Sequence, residues 1–504
     1  MTDTPELGAR RSERGGDALV LASITVLALV LRVASSWITS LQLDDFHSLY
    51  HIRAPDLAEF FHRLKQDNHP PLSFLVLRVV RAVLGEDELV LRIPAILYGV
   101  LTVPVVWQIA RRLPNRAARA TATLFVACSS LNLEMSSDLR MYSLLTLALA
   151  GFLGAALDLL EERRGLARGV LWTVVGLHTH YHFVHALAVI VSACILAAIV
   201  HAELRPGLRR LFVALGIAAA LSAPWFAWGF PAQLAHELPP GGSDGSPQRL
   251  LEGMVHLVYL NVRLGGAALR LVFLAAGALL LGLALLASVR ILARQRARAT
   301  DSEGSASGTW LVVLASAVLL PAWSALASWI TPRAGFEWRY IAGAVVPLAL
   351  LTARGAYAPG PLAGLRRSAA SFAVVAALYL CVLNVRDPGR EDNRSAVRSI
   401  VTRANASDAV VAAEWQPRLF PHSGAWNYYA PRLLPPGREL PHLVDFLPDF
   451  TFPPGTDFSP YSRVFFMGRS IPDHMPMLKD LRKQFPHETK ALYGMSIWVL
   501  TFER

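Results

Sequence analysis

Two adjacent carboxylates, Asp44 and Asp45, lie in the segment LQLDDFHSLYHI at positions 41–52, directly after the first long apolar run. A carboxylate held in a partly dry pocket binds its proton more tightly than in water and can act as a general base. Neighbouring residues of a helix point in different directions, so the two carboxylates should have different roles. The alternative is helix capping, in which one of them accepts hydrogen bonds from free backbone N–H groups.

A second candidate is the turn DNHPPL at positions 67–72. Asp67 and His69 could join Asp44 or Asp45 in binding a divalent metal, because carboxylate oxygens and an imidazole suit Mg, Mn or Zn. The Pro-Pro pair also fixes an extended turn, so a purely structural role is the alternative. The sequence leaves metal dependence open.

Two arginines are predicted at the outer ends of apolar spans, Arg140 in SSDLRMYSL and Arg339 in FEWRYIAG. Arginine is disfavoured on the outer side of a membrane, so each could bind a phosphate, for which guanidinium geometry is suited. The alternative is that each side chain extends to the interface. Tyr142 and Tyr340 beside them are typical of an interfacial aromatic belt.

The segment GLHTHYHFVH at positions 176–185 is the richest in histidine. His178, His182 and His185 share one helical face, whereas His180 points elsewhere. Spacing of i and i+4 is a weak indication of a metal site, and solvated interfacial histidines are the favoured interpretation.

These residues need elements to position them, and the composition indicates membrane helices. The chain has 504 residues, of which 54% are hydrophobic and 17% charged, with a mean hydropathy of +0.40. Apolar runs long enough to cross a bilayer recur up to residue 385. We predict about eleven spans, at 18–38, 89–110, 117–133, 139–160, 168–183, 185–203, 207–228, 266–291, 309–330, 339–353 and 367–385.

The net charge of +11 comes mostly from arginines clustered between these spans. That pattern indicates topology rather than nucleic-acid binding, and it places each cluster in the cytoplasm. The short run Pro70–Leu84 is predicted to lie at the outer interface as an amphipathic helix. The N-terminal tail, 1–17, is then cytoplasmic, and an odd number of spans puts the C-terminus outside the cytoplasmic membrane.

Residues 386–504 differ from the membrane portion, 18–385, because they are more polar and richer in proline. Helices are predicted at 393–404 and 477–485, and strands at 409–415, 463–467 and 496–502. This alternation predicts a small extracytoplasmic α/β domain. Acceptor choice is expected to depend on this domain and on the Gly/Pro-rich outer loop 231–265.

Taken in order, the motifs resemble the GT-C glycosyltransferases of the family 39 type, which include protein O-mannosyltransferases and the lipid A aminoarabinose and galacturonosyl transferases. The resemblance covers nearly all of the membrane portion. It departs at Asp45, where the family usually has Glu. The matching elements are Asp44-Asp45, His69-Pro70-Pro71-Leu72, Arg92-Ile93-Pro94, Arg140-Met141-Tyr142, Thr179-His180-Tyr181, Arg339-Tyr340 and Ala353-Arg354-Gly355.

The resemblance implies a GT-C-like fold and a polyprenyl-phosphate sugar donor. One hexosyl or pentosyl unit would pass, with inversion, to a lipid, glycan or protein acceptor on the outer face. Asp44 would be the catalytic carboxylate, with Asp45 the less certain member of the pair. The residues implied in binding the donor phosphate or sugar are Arg140, Tyr142, His180, Tyr181, Arg339, Tyr340, His69 and Arg92.

The competing interpretation is a membrane transporter or lipid flippase for a cell-envelope precursor. That class predicts charges deep within several spans and two repeated halves. The polar groups here gather at one predicted face, which favours an enzyme. A non-catalytic scaffold for envelope assembly is the third interpretation.

Overall fold

The computed structural model describes residues 5–162, 164–235, 267–297, 304–330, 338–386, 390–413, 424–447, 449–469 and 475–504. Most of loop 231–265 and residues 331–337 of the predicted outer loop TPRAGFEWRY lie outside these ranges. Within them the chain is an α-helical polytopic membrane protein with a small C-terminal α/β domain. It divides into two compact units, one of Met1–Ser35 and Pro55–Asp387, and one of Ser36–Ala54 and Pro388–Arg504.

Helices account for nearly all of the described residues up to 386. In chain order they are α1 (Pro5–Ile38), α2 (Leu43–Ile52), α3 (Leu57–Lys65), α4 (Leu72–Leu84), α5 (Glu88–Ile109), α6 (Arg116–Ala127), α7 (Ser130–Met135), α8 (Tyr142–Glu162), α9 (Leu166–Thr179), α10 (His182–Val200), α11 (Arg205–Ala235), α12 (Ala267–Ala297), α13 (Gly304–Ile330), α14 (Val345–Ala356) and α15 (Ala363–Arg386). A 3₁₀ segment, Trp338–Ala344, leads directly into α14.

Each of the eleven predicted spans is helical over most of its length. Seven segments among the described residues are long and apolar enough to cross a membrane: Gly15–Ile38, Glu88–Arg112, Tyr142–Glu161, His182–Val200, Ala202–Ala235, Leu271–Ala293 and Ala363–Arg386. α6, α9 and α14 are shorter, and on α13 the apolar helical stretch is limited to Gly308–Ser324. A helix of 12 residues rises only about 18 Å, against a hydrocarbon core of about 30 Å. The crossing of these short segments stays a prediction.

Local chemistry explains where several helices begin. The side chain of Asp87 accepts a hydrogen bond from the Leu89 N–H at 3.0 Å, and that of Asn115 accepts one from Ala118 at 2.9 Å, so both cap free donors at a helix start. α4 begins directly after Pro71, as expected where proline precedes a helix. The predicted interfacial run is therefore a helix of its own.

α8 lies at the centre of the first unit, where 94% of its span is buried. It packs against α5, α9 and α11. Gly207, in the first turn of α11, allows a close approach to the α8 backbone, because an added Cβ would lie 2.3 Å from the carbonyl oxygen of Leu159. Small residues are common where membrane helices approach closely.

The second unit is built on a five-stranded sheet. Its strands are β1 (Ala409–Ala413), β2 (His442–Leu443), β3 (Arg463–Arg469), β4 (His487–Tyr493) and β5 (Ile497–Glu503), in the order β2-β1-β3-β5-β4. β1 pairs in parallel with β2 and β3, whereas β5 is antiparallel to β3 and β4. Helices α16 (Asn393–Arg403), α17 (Gly424–Leu433) and α18 (Pro476–Gln484) accompany the sheet.

The helices and strands predicted after residue 386 all agree with this unit to within a few residues. α17, β2 and β4 are additions to the predicted elements. For β4, the half-buried sequence HETKALY lacks the clear apolar alternation by which a strand is predicted. The larger difference is the segment Ser36–Ala54, which carries the acidic pair and belongs to the same compact unit as the C-terminal domain.

Candidate active site

The first group of candidate residues centres on His69, which lies in the loop between α3 and α4. Its Nδ1 lies 3.3 Å from Oδ1 of Asp67, and its Nε2 lies 3.1 Å from Nη2 of Arg140. Because a guanidinium only donates hydrogen bonds, Nε2 must accept, and the ring proton is then on Nδ1, facing Asp67. All three side chains are buried. Since both ring nitrogens have partners, His69 fits the orientation of Arg140 better than it fits metal binding.

His180 lies between α9 and α10 beside this group. Its Nδ1 accepts a hydrogen bond from the backbone N–H of His182 at 3.0 Å, so the ring proton is on Nε2. Nε2 is buried, and no atom of the described residues accepts a hydrogen bond from it. A buried donor without an acceptor costs free energy unless a ligand or water completes it.

Arg339 and the two predicted tyrosines complete the group. The Arg339 guanidinium carbon lies 5.0 Å from the ring centroid of Tyr142, and Tyr340 lies 4.9 Å from the ring centroid of His180. The His69 and His180 rings are 5.4 Å apart. Together these contacts define what is called here the Arg–His cluster, which consists of Asp67, His69, Arg140, Tyr142, His180, Arg339 and Tyr340.

Tyr181 supports the cluster rather than joining it. Its hydroxyl donates to Oε1 of Gln233 and accepts from Nε1 of Trp225 at 3.0 Å. Gln233 in turn donates to the backbone oxygens of Leu64 at 2.6 Å and His69 at 2.9 Å. Gln233 thus fixes the loop that carries His69. No sequence signal indicates Gln233, since an isolated glutamine near the end of a span has no distinguishing pattern.

Two further arginines are buried within spans. Arg92, a predicted donor-binding residue, lies 2.9 Å from Glu88 on its own helix. Arg32, which the sequence analysis did not single out, donates to the carbonyl oxygens of Ala28 at 3.1 Å and Ala127 at 3.2 Å. Both lie within about two turns of a helix end. The donor-binding role of Arg92 stays a prediction.

The acidic pair lies in the second unit, on α2. Oδ2 of Asp45 accepts the backbone N–H of Gln42 at 2.9 Å, while the Gln42 side chain accepts from the backbone of Asp45. This reciprocal pair is a capping box, so the capping role considered for the pair falls to Asp45. Asp45 is fully buried and Asp44 is partly exposed. Of the two, Asp44 is the one that solvent or a substrate can reach.

α2 also carries two histidines at i and i+4, His47 and His51. Their Nε2 atoms are 3.3 Å apart. Two nitrogens bound tetrahedrally to zinc at about 2.0–2.1 Å would be separated by about 3.3 Å. The pair therefore fits either a hydrogen bond between the rings or two ligands of one metal ion.

At the end of α8 that contains Asp158, arginines form ion pairs that join neighbouring helices. Asp158 accepts from Arg111 at 2.8 Å, Arg112 at 2.6 Å and Arg168 at 2.7 Å. Tyr142 and Asp158 are 16 residues apart on this helix, which corresponds to about 24 Å. The Arg–His cluster and the arginines predicted to face the cytoplasm therefore lie at opposite ends of α8.

Comparison with protein families gives a match over residues 68–228, to the family described as dolichyl-phosphate-mannose-protein mannosyltransferase. The matched range contains six candidate residues: His69, Arg92, Arg140, Tyr142, His180 and Tyr181. It leaves out the acidic pair, Asp67, Arg339 and Tyr340. The match confirms the resemblance to GT-C membrane glycosyltransferases that the ordered motifs predict.

Comparison with solved structures gives distant likenesses over most of the chain. ArnT from Cupriavidus metallidurans bound to undecaprenyl phosphate has 14% identity and a TM-score of 0.45, covering 97% of this chain and 98% of that one. The Archaeoglobus fulgidus oligosaccharyltransferase tethered with an acceptor peptide has 12% identity and a TM-score of 0.46, covering 83% and 64% respectively. Comparison with curated proteins gives no match.

Proposed function

We propose that the chain is a glycosyltransferase that moves a sugar from a polyprenyl-phosphate-linked donor to an acceptor at the outer face of the cytoplasmic membrane. The observation that carries the proposal is the Arg–His cluster, which brings two guanidinium groups and a buried imidazole N–H together at one end of the membrane helices. The family matched over residues 68–228 is named for a lipid-phosphate sugar, which supports this class of donor.

The leaving group of such a donor is a lipid phosphate, whose negative charge grows as the sugar departs. Arg140 and Arg339 supply donors suited to phosphate oxygens, and Nε2 of His180 supplies a third. Donors fixed before the reaction lower the barrier because they need no reorganisation as charge develops. His69 and Asp67 contribute by holding Arg140, and Tyr142 by its contact with Arg339.

Asp44 is the proposed general base. The acceptor hydroxyl oxygen attacks the anomeric carbon and its proton passes to the Asp44 carboxylate. The bond from the anomeric carbon to the phosphate oxygen breaks, and its electron pair leaves with the phosphate. A single displacement of this kind inverts the anomeric configuration. Asp45 has a different task, since its capping bond holds the helix that carries Asp44.

The donor sugar is proposed to be a hexose or a pentose, and the acceptor a lipid, a glycan or a protein. A divalent ion would be held by His47 and His51, whose nitrogen separation fits two ligands, better than by Asp67 and His69. Such an ion would supply Lewis-acid stabilisation of phosphate charge. Loss of transfer in EDTA with recovery in Zn, Mn or Mg would establish that role, whereas unchanged transfer would exclude it.

Asp44→Asn tests the proposal directly. In cells that lack the native protein, the variant should insert and accumulate normally yet restore less than about 1% of the transfer seen with the wild type, since a general base contributes about 10²–10⁴-fold. The measurement is mass spectrometry of cell-envelope lipids and glycans with and without the protein.

Asp457→Asn is the matched control, because Asp457 is an exposed aspartate of the same compact unit and should leave transfer unchanged. Full transfer by Asp44→Asn would refute the role of Asp44. If cells with and without the protein have the same envelope lipids and glycans, the glycosyltransferase proposal is refuted. That result would favour the transporter or scaffold interpretation.

A further inference from the structure

The segment that carries the acidic pair is held by residues far along the chain. The Leu41 N–H donates to the hydroxyl of Tyr429 at 2.8 Å, and the Leu41 carbonyl accepts from Nδ2 of Asn393 at 2.8 Å. The Leu43 N–H donates to Oε2 of Glu391 at 3.1 Å. The backbone that leads into α2 therefore has its hydrogen-bond partners in the C-terminal domain.

Glu391 is the centre of this arrangement. Its backbone oxygen accepts from Oγ of Ser40 at 2.8 Å and from Nε2 of Gln42 at 3.1 Å. Its buried carboxylate also pairs with Nε of Arg469, the last residue of β3, at 2.8 Å. One side chain thus connects the start of α2 to the end of a central strand of the sheet.

The connection continues to the turn between β4 and β5. Glu391 forms an isolated bridge with Gly494, and the Met495 N–H donates to the Arg390 oxygen at 3.0 Å. Gly494 has φ +62, and an added Cβ would lie 2.0 Å from the Arg390 oxygen, so the turn approaches residue 390 as closely as a backbone can. The position of Glu391 is therefore fixed from two sides.

Apolar packing fixes the first turn of α2 as well. The ring of Phe46, next to Asp45, packs on Tyr428 and Tyr429 with centroid distances of 6.4 and 6.3 Å. Gly424 allows this contact, because its added Cβ would meet Cβ of Phe46 at 2.7 Å. A helix of ten residues is marginal by itself in water, so α2 depends on this support.

We propose that Glu391, together with Tyr429 and Asn393, is a positioning residue for the proposed base Asp44. The C-terminal domain then acts in the reaction by fixing the helix of the base, in addition to any role in acceptor choice. This inference rests on the proposed function only in its kinetic part. The docking of α2 on the C-terminal domain is measurable without any sugar transfer.

The test compares Glu391→Gln and Tyr429→Phe with the wild-type protein in detergent. Tyr429→Phe removes one hydroxyl and keeps the ring that packs on Phe46. Glu391→Gln retains one carbonyl oxygen, which cannot serve both the Leu43 N–H and Arg469. Hydrogen–deuterium exchange at the amides of residues 41–46 should be at least about fivefold faster in both variants, as expected when one net hydrogen bond of about 1 kcal/mol is lost.

Glu488→Gln is the control for the charge change. Glu488 lies in β4 and accepts from Nε of Arg482 at 2.8 Å, a bond that lowers the pKa of its carboxyl. It has the same chemistry as Glu391, but it pairs with Arg482 and Lys490 rather than with residues 36–54, so exchange at 41–46 should stay at the wild-type rate. Unchanged exchange in both Glu391→Gln and Tyr429→Phe would overturn the docking inference, whatever their transfer activity.

Kinetics then separate positioning from the proposed chemistry. Both variants should lower kcat about tenfold while KM for the lipid donor stays within about twofold, because misplacing a reacting group slows the chemical step. Faster exchange with unchanged kcat would contradict positioning of the base. If Asp44→Asn is also fully active, the failure lies in the proposed function and the docking of α2 stands.

Discussion

At the scale of single residues, the contacts from Asp67 to His69 and from His69 to Arg140 show how a neutral imidazole can orient a cation. Asp67 fixes the proton on Nδ1, and this leaves the Nε2 lone pair to receive an Arg140 N–H. This bond anchors one nitrogen of the Arg140 guanidinium at 3.1 Å from the imidazole. Such anchoring lowers the entropy lost when the guanidinium binds phosphate.

Substitutions of His69 can separate the two bonds it makes. The amide oxygen of glutamine can reach roughly where Nε2 of histidine lies, so His69→Gln should retain the bond to Arg140 and lose the one to Asp67. His69→Ala should lose both and raise Kd for a polyprenyl phosphate by about tenfold, or about 1.4 kcal/mol. His69→Gln should raise it by less than about threefold.

Binding of undecaprenyl phosphate, measured by titration of the purified variants, checks this order. Gln108→Ala, far along α5 from the cluster, is the control and should bind as the wild type does. Equal loss of affinity in His69→Gln and His69→Ala would show that anchoring of Arg140 through Nε2 is unimportant.

The members of the Arg–His cluster could be named as candidates from the sequence because each has a distinctive local context. An arginine at an outer helix end, or a histidine beside Pro-Pro, conflicts with its surroundings in a way that one sequence can show. Gln233 and Glu391 could not be found in this manner. Their roles depend on bonds to residues 64–69 and 40–43, and no local pattern records a partner that is distant in sequence.

At the scale of elements, the closest helix contacts depend on glycines. Gly207 faces the backbone of α8, which cannot move aside as a flexible side chain can. Gly216, on the same helix, has nothing within 4 Å of an added Cβ. The two positions form a matched pair for testing helix packing.

Gly207→Ala should destabilise the protein by about 1–3 kcal/mol, because α11 must shift away from α8. In a thermal unfolding experiment in detergent, this should appear as a fall of several degrees in Tm. Gly216→Ala should leave Tm unchanged or raise it slightly, since alanine favours a helix. Equal Tm values for the two variants would contradict the close approach of α8 and α11.

Helices and strands could be predicted where the pattern of apolar residues is strong. The long apolar helices and the apolar strands β1, β3 and β5 agree with their predicted ranges because burial dictates their composition. The assignment of residues 36–54 was not predictable, since the C-terminal domain that holds them begins more than 300 residues later. The compact unit that contains the C-terminal domain therefore also includes a segment near the start of the chain.

At the scale of the whole molecule, the arginine clusters predict a topology with a cytoplasmic N-terminus and an extracytoplasmic C-terminus. The structure supplies one internal check on the positive-inside count. Arg111, Arg112 and Arg168, from separate predicted cytoplasmic clusters, gather around Asp158 at one end of α8. They lie opposite the Arg–His cluster, as the counting of charges predicts.

Fusions to alkaline phosphatase can measure this topology, because that enzyme folds only in an oxidising compartment. A fusion after Arg504 should be active, and a fusion in the loop at residues 113–115 should be inactive. Cytoplasmic green fluorescent protein fused at the same two sites should give the opposite pattern. An inactive phosphatase after Arg504 would show that the number of crossings is even, and the proposed outer location of the C-terminal domain would fall.

The dependence of α2 on Glu391 also has a consequence for biosynthesis. Ser40 and Glu391 are 351 residues apart, and the polypeptide grows at about 5–20 residues per second. For roughly 20–70 seconds after α2 leaves the ribosome, the residues that hold it have not yet been made. The helix that carries Asp44 therefore reaches its final environment only near the end of translation, so a half-made chain has the carboxylate but not the contacts that hold its helix.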